Sequence, residues 1–408
     1  MLIKCEFLKI LRKKSTLLVM GASLLVTAFL FGLPILQFQT YNQEGAIEGF
    51  AGIDYERKQA QTYSVPLTNE YITKTIREVQ QLFEDPGNVG YDGHERFLID
   101  SAYWDGIAPR ESLLGMIAKN YVAPDENAGY NMLPNLDVSD GTDFYGARQA
   151  KIDKLLNNSS RKLSQQQKAY WQTMNSRVDE PFAYGYYEGW AIIVSSFELL
   201  MFALLAICIV IAPVFSGEYQ AGTDAVLLSA KYGKTKLTTA KIAASYLFGV
   251  LAFTLHVAVA FGLPLAAFGL DGWNLPLQIA NTTIPYPFTF LQAVLVNVGV
   301  VFLVLFAMIG LTLLLSAKMK SPYLVLIVLV PVLFIPLFLS PNGTTGAYNL
   351  ILFLLPYRST MPEIGKYLSY QFGGLVVDAF TMRAILYAAL TAALLPLARL
   401  GFKRHQVA

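Results

Sequence analysis

The sequence predicts an all-α polytopic membrane protein: six transmembrane helices, with a mainly helical extracellular domain inserted between helices 1 and 2. Three observations carry this. Hydrophobic residues make up 54% of the 408 positions and charged residues only 15%, with a mean hydropathy of +0.43, more apolar than a soluble core requires. Uncharged runs long enough for a helix to cross the hydrocarbon recur along the chain. Charge is sorted by segment: positions 37 to 189 hold 22 Asp and Glu against 14 Lys and Arg, an excess of eight negative charges, while short connections elsewhere carry lysine and arginine.

Residues 1–14 (MLIKCEFLKILRKK) place Leu2, Ile3, Phe7, Ile10 and Leu11 near one helical stripe, with Lys4, Lys9 and Lys13 elsewhere around it. That is the pattern of a helix lying in the cytoplasmic interface. Residues 15–37 form transmembrane helix 1, built on the uncharged run from Leu17 to Leu36. A basic start before an apolar run also suits a signal peptide, but this run is long enough to span and no small-x-small cleavage site follows, so an uncleaved helix is expected.

Residues 38–189 are polar and of domain size. Helices are expected over Asn69–Phe83, Glu111–Asn120, Ala147–Leu156 and Gln165–Ser176, the last with Ser164 as N-cap. Turn-rich pieces such as DPGNVGYDG and VAPDENAG separate them. Frequent aromatics, Trp104, Tyr121, Phe144 and Trp171 among them, supply material for a folded core. The two cysteines, Cys5 and Cys208, lie outside this block, so no disulfide framework holds it.

Residues 190–408 carry helices 2–6. Trp190–Val214 is the second span, interrupted only by Glu198, and Ile242–Leu270 is the third, with Pro264 expected to kink or end it. Phe288–Ala317 and Pro322–Ser340 follow, joined by a tight turn over Lys318–Ser321. Ala347–Pro356 is apolar but about half the length needed to cross, so 347–370 is read as a re-entrant outer segment. Phe380–Leu400 is the sixth span, with Arg383 and Arg399 expected to snorkel toward opposite surfaces. Lysine and arginine in short loops mark the cytoplasmic side, which places both termini, and the long connection 216–241 between spans two and three, inside.

Motifs for chemistry fail on their spacing. Gly233-Lys234-Thr235 resembles the end of a phosphate-binding loop, but the glycine required upstream is Leu228. His94, His256 and His405 are scattered over three compartments without HExxH. Ser159–Lys162 matches S-x-x-K without supporting motifs, and Asp137, Asp140 and Asp143 do not fit the spacing of a calcium loop. No catalytic residue, metal site, cofactor or nucleic-acid partner is therefore assigned. Within the spans, Glu198 and His256 are candidates for lining a substrate path, or else hydrogen-bonded packing residues; Asn297 reads as an interhelical hydrogen-bonding residue.

The second span runs into G-E-Y-x-x-G-T, then L-L-S and G-K with a later lysine: Gly217, Glu218, Tyr219, Gly222, Thr223, Leu227, Leu228, Ser229, Gly233, Lys234 and Lys241. With the amphipathic amino terminus and the re-entrant segment ending LLPYRSTMPEI, this resembles the permease subunit of an ABC-2 type ABC transporter, in a form with a large domain between the first two spans. The resemblance implies that 216–241 contains a coupling helix docking on a separate ABC ATPase subunit, which binds the ATP, and that the permease pairs with a second copy or a related permease in the plasma membrane. The residues themselves agree. Ala221–Ala230 suits a short helix capped near Thr223 or Asp224, Val226, Leu227 and Leu228 offer apolar contact, and Gly222 permits a sharp break. The same stretch also suits a loop facing lipid headgroups whose lysines only fix topology.

The function this implies is ATP-driven export or extraction of a peptide, lipid or amphipathic compound, and the acidic outer block suggests cationic amphipathic peptides by charge complementarity. A ligand-sensing receptor that signals through a cytoplasmic partner without transport is the alternative. A membrane enzyme is disfavoured by the failed motifs.

Overall fold

The apolar runs fold into long helices whose ends are set by lysines, glycines and prolines. The computed structural model describes residues 1–93, 95–124 and 126–404; His94 and His405 lie outside the described residues. A first helix, α1 (Leu2–Leu11), buries Ile10 and leaves Leu2, Ile3 and Leu11 uncovered by protein. It turns at Arg12–Lys13 into α2 (Lys14–Leu36). Among the described residues five helices are long and apolar enough to cross a membrane: Lys14–Leu36, Phe197–Gln220, Gly233–Phe268, Phe290–Lys318 and Ala379–Lys403, with Pro322–Leu337 apolar but shorter.

The polar insertion contains α3 (Gly49–Thr62), α4 (Asn69–Glu84), α5 (Asp100–Trp104), α6 (Glu111–Asn120), α7 (Phe144–Asn157) and α8 (Gln165–Asn175). Ser164 caps α8 in a full capping box with Gln167. Three short antiparallel hairpins depart from an all-helical architecture: β1 (Gln39–Asn42) with β2 (Gly45–Glu48), β3 (Val89–Asp92) with β4 (Glu95–Leu98), and β5 (Ser369–Phe372) with β6 (Leu375–Asp378). The insertion does not swing free of the helices. Arg148 of α7 donates to Thr282 O at 2.7 Å and Asn175 Oδ1 at 2.5 Å. Trp171 of α8 packs edge-on against Tyr286 and Tyr367, and Gln167 donates to Ser369.

The second span differs from its expected bounds. α9 (Glu188–Ser195) ends at Ser196, a 3-10 turn covers Phe197–Leu200, and α10 (Met201–Ile211) and α11 (Pro213–Gln220) continue past Val214. α13 (Thr238–Phe268) runs through Pro264 and stops at Gly269, whose φ of +93° ends the helix. α14 (Phe290–Lys318) begins with a second capping box, at Thr289 and Gln292, and packs most extensively on α18 (Ala379–Lys403). Between them lie α15 (Pro322–Phe334) and two short helices, α16 (Ala347–Leu352) and α17 (Pro356–Thr360).

Arg383 does not snorkel. It is 0% exposed and donates to Phe353 O at 3.2 Å, Arg358 O at 2.9 Å and Met361 O at 2.5 Å. These carbonyls belong to the carboxyl-terminal turns of α16 and α17, where a helix leaves acceptors unpaired. Tyr387 donates to Leu354 O and Asn297 to Thr360 O, each completing the same cap. A buried guanidinium is stable there because its fork meets the negative ends of two short helices.

Candidate functional site

At the lysine-bearing end of the bundle, α11 carries Gly217, Glu218 and Tyr219, and Gly222 follows in the left-handed conformation at φ +66°. This is the break that lets the chain turn into α12 (Asp224–Ser229). The helix is shorter than the expected Ala221–Ala230. Thr223 occupies its N-cap position without a side-chain cap; its hydroxyl instead donates to Glu218 Oε2 at 2.6 Å. A single wide turn over Gly233–Leu237, which includes Lys234, leads into α13. Gly233 is obligatory, since a Cβ there would sit 1.6 Å from Leu227 O.

Glu218 is the centre of a cluster joining three helices. Its Oε1 accepts from Lys241 Nζ of α13 at 2.8 Å and from Lys9 Nζ of α1 at 2.5 Å. Lys241 also reaches Glu6 Oε2 of α1 at 3.0 Å. Two carboxylates therefore meet two ammoniums. Lys241 is 2% exposed as a residue, so its charge is supported by these partners rather than by water. Burial draws Lys9 downward, but Glu218 outweighs it and leaves the ammonium above the ordinary lysine value. Lys13 is lowered, by burial and then by Lys9. Glu6 was not singled out in the sequence, and Lys241 entered only as a topology marker and as the later lysine of the motif, with no partner assigned. A lone glutamate among five basic residues in 1–14 is the signal that points to Glu6.

The same end is bolted to α14 and α18. Pro213 brings no N–H to the helix ladder, and Ser316 of α14 accepts from the N–H groups of Phe215 and Ser216, both at 3.0 Å, while donating to Ala212 O at 2.6 Å. Tyr219 donates to Ala317 O at 3.0 Å, and its ring and that of Phe215 lie on Phe402. On α12, Leu228 faces inward at 8% exposure and Leu227 is half-buried, whereas Val226 is 72% exposed. The outward apolar contact is therefore Val226 more than its neighbours.

The two ionisable span residues lie elsewhere and do not meet. His256 is buried, with Nδ1 donating to Ala252 O at 2.8 Å and Nε2 2.9 Å from Ser23 Oγ of α2. Both ring nitrogens are used in helix packing. Glu198 is half-buried on the 3-10 turn, which packs against α17. Two of the three aspartates considered as calcium ligands serve as local caps: Asp143 accepts from Gly146 N and Asp137 from Ser139 N.

Comparison with known proteins gives one finding. A family model described as "ABC-2 family transporter protein" matches residues 1–405. No curated protein and no solved structure matches.

Proposed function

Because the chain belongs to the ABC-2 family of transporter membrane proteins, we propose that it is a six-span permease driven through the α11–α12 segment by a separate ABC ATPase. Pro322–Leu337 supplies the sixth crossing: it begins beside Lys320 at the lysine-bearing end, and Thr345 beyond it donates to Arg161 O of the insertion. Both termini are then cytoplasmic, and the insertion is extracellular.

The observation that carries the proposal is the cluster of Glu6, Lys9, Glu218 and Lys241. It makes α1, the end of the second span and the start of the third one rigid unit, from which α12 projects with Val226 uncovered. A push on α12 moves three helices together, as rigid-body switching between inward and outward states requires. Gly217, Glu218, Tyr219, Gly222, Thr223, Leu227, Leu228 and Lys234 belong to this coupling site. ATP binds the partner subunits, and a second copy or related permease completes the path. The transported material is a peptide, lipid or amphipathic compound moved outward or extracted from the bilayer.

The test is co-purification. Val226→Asp with Leu227→Asp is expected to abolish capture of an ABC ATPase subunit by the tagged permease without lowering the thermal stability of the permease. Undiminished capture together with undiminished ATP turnover refutes the assignment.

A further inference from the structure

A cavity of about 570 Å³ lies where the insertion meets the membrane helices, walled by α3, α6, Tyr184 and Tyr187 ahead of α9, and Ile279–Ala280 of the α13–α14 connection. The volume suits a small ligand or one or two side chains of a larger one. Tyrosine dominates the wall, with Tyr55, Tyr63, Tyr130, Tyr184 and Tyr187. Tyr187 is held by stacking on Phe290 at 5.0 Å. Tyr184 is only 8% exposed, and its hydroxyl has no hydrogen-bond partner among the described residues.

The charges facing this cavity are unequally satisfied. Arg110 is held by Glu78 at 2.6 Å and lies over the Tyr63 ring. Glu111 accepts from the Tyr103 hydroxyl at 3.0 Å, and Lys119 is exposed. Glu56, half-buried, has no ion pair or hydrogen bond among the described residues. The basic residues next to it in sequence are directed elsewhere, Arg57 to Asp271 at 2.5 Å and Lys58 to Asp54 at 2.6 Å. Burial, and then the charge of Glu188, push the Glu56 carboxyl up to about 7. A partly desolvated carboxylate without a counter-ion, beside aromatic faces and an unused hydroxyl acceptor, is best satisfied by a cation that also donates hydrogen bonds.

We propose that this cavity binds a protonated amine, with Glu56 as its counter-ion, the Tyr184 hydroxyl as an acceptor and the tyrosine rings as its walls. The inference rests on the transport function for its biological role: it makes the cavity the point at which an amine-bearing substrate is held on the outer side. A lysine side chain of a soluble peptide and the ammonium of a lipid headgroup share this chemistry.

Trilysine binding is measured calorimetrically on the full chain in nanodiscs, without ATPase, with trialanine as the neutral control. Saturable binding of trilysine is expected, weakened about tenfold by Glu56→Gln and about threefold by Tyr184→Phe, the scale of one lost charged contact and one lost neutral hydrogen bond. Glu56→Gln keeps the side-chain shape and breaks no ion pair or hydrogen bond among the described residues, so the fold is retained, and Tyr184→Phe keeps the ring. Discs with a fixed phosphatidylglycerol fraction and the remainder phosphatidylcholine are compared with discs whose remainder is phosphatidylethanolamine, so that surface charge is unchanged. Weaker trilysine binding in the second identifies the headgroup as a competing occupant, and equal binding identifies a soluble ligand. Binding that is absent, or unchanged in both variants, overturns the proposal. Because no ATPase is present, that result leaves the coupling assignment standing, and loss of ATPase capture would equally leave this one intact.

Discussion

Replacing Lys241 by Met tests whether the charge cluster holds the three helices together. The side chain is 3% exposed and lies 2.8 Å from Glu218 and 3.0 Å from Glu6. At an effective dielectric near 20, a unit pair at about 3 Å attracts by roughly 5 kcal/mol, against a desolvation cost of several kcal/mol per buried ion. Truncation leaves two carboxylates sharing Lys9, and breaking a buried pair in this way costs about 3–5 kcal/mol. Lys9→Ala provides the contrast. Its side chain is 49% exposed, so its bond to Glu218 contributes about 0–1 kcal/mol despite being the shorter contact. Adding Glu218→Gln to Lys241→Met restores neutrality, and the double-mutant cycle is expected to return about 2–3 kcal/mol of coupling. The assay is reversible unfolding in mixed micelles, run in parallel with ATPase capture. A cost under about 1 kcal/mol for Lys241→Met, or equal costs for the two lysines, refutes the reasoning.

Arg383→Lys is expected to fail to rescue the roughly 3–5 kcal/mol lost in Arg383→Met, because one ammonium cannot reproduce a fork aimed at three carbonyls; unfolding midpoints of the two variants decide this. Ser316→Ala removes an acceptor for two N–H groups and a donor to Ala212 O, and a loss of about 1–3 kcal/mol is expected in the same assay. His256→Leu tests packing against path lining: reduced stability with retained transport of the eventual substrate supports the hydrogen-bonded role seen between α13 and α2, and retained stability with lost transport contradicts it. For Glu56 the pH dependence has a definite sign. The folded carboxyl keeps its proton to about pH 7, whereas in the unfolded chain it loses it near 4.5. The stabilisation is therefore full below 4.5 and is lost as pH rises through 7. Thermal scans from pH 5 to 8 are expected to show a decline that Glu56→Gln flattens, with any remaining slope assigned to Glu188, which burial also raises.

Much of the fold was legible because helix periodicity and capping are local. α6 has the expected bounds, α4 extends one residue beyond them, and the Ser164 cap forms as its sequence requires. α3 escaped notice because it carries two glycines and little apolar contrast, and the hairpins because strands of four residues leave almost no alternation to detect. The motif around Glu218 pointed to the α11–α12 segment proposed for coupling, but the cluster partners Glu6 and Lys9 lie more than two hundred positions away. Arg383 was misjudged for a related reason. Snorkelling assumes that water is the nearest polar phase, and sequence does not show that two short helices end within the arginine's reach. The amine-binding cavity draws on segments from Thr40 to Ala280, none of which carries a motif.

At Ala212–Pro213 the second span keeps helical backbone, with Ala212 at φ −48° and ψ −42°, but Pro213 removes one rung of its hydrogen-bond ladder. Above it α10 is packed deep in the bundle, and below it α11 is clamped through Ser316, Tyr219 and Phe215 to α14 and to Phe402 of α18. Under the proposed ATPase drive, movement of α11 reaches α14 and α18 directly through these contacts as well as along the helix into α10. The proposed stroke is then shared among neighbouring helices at the lysine-bearing end instead of being borne by the second span alone.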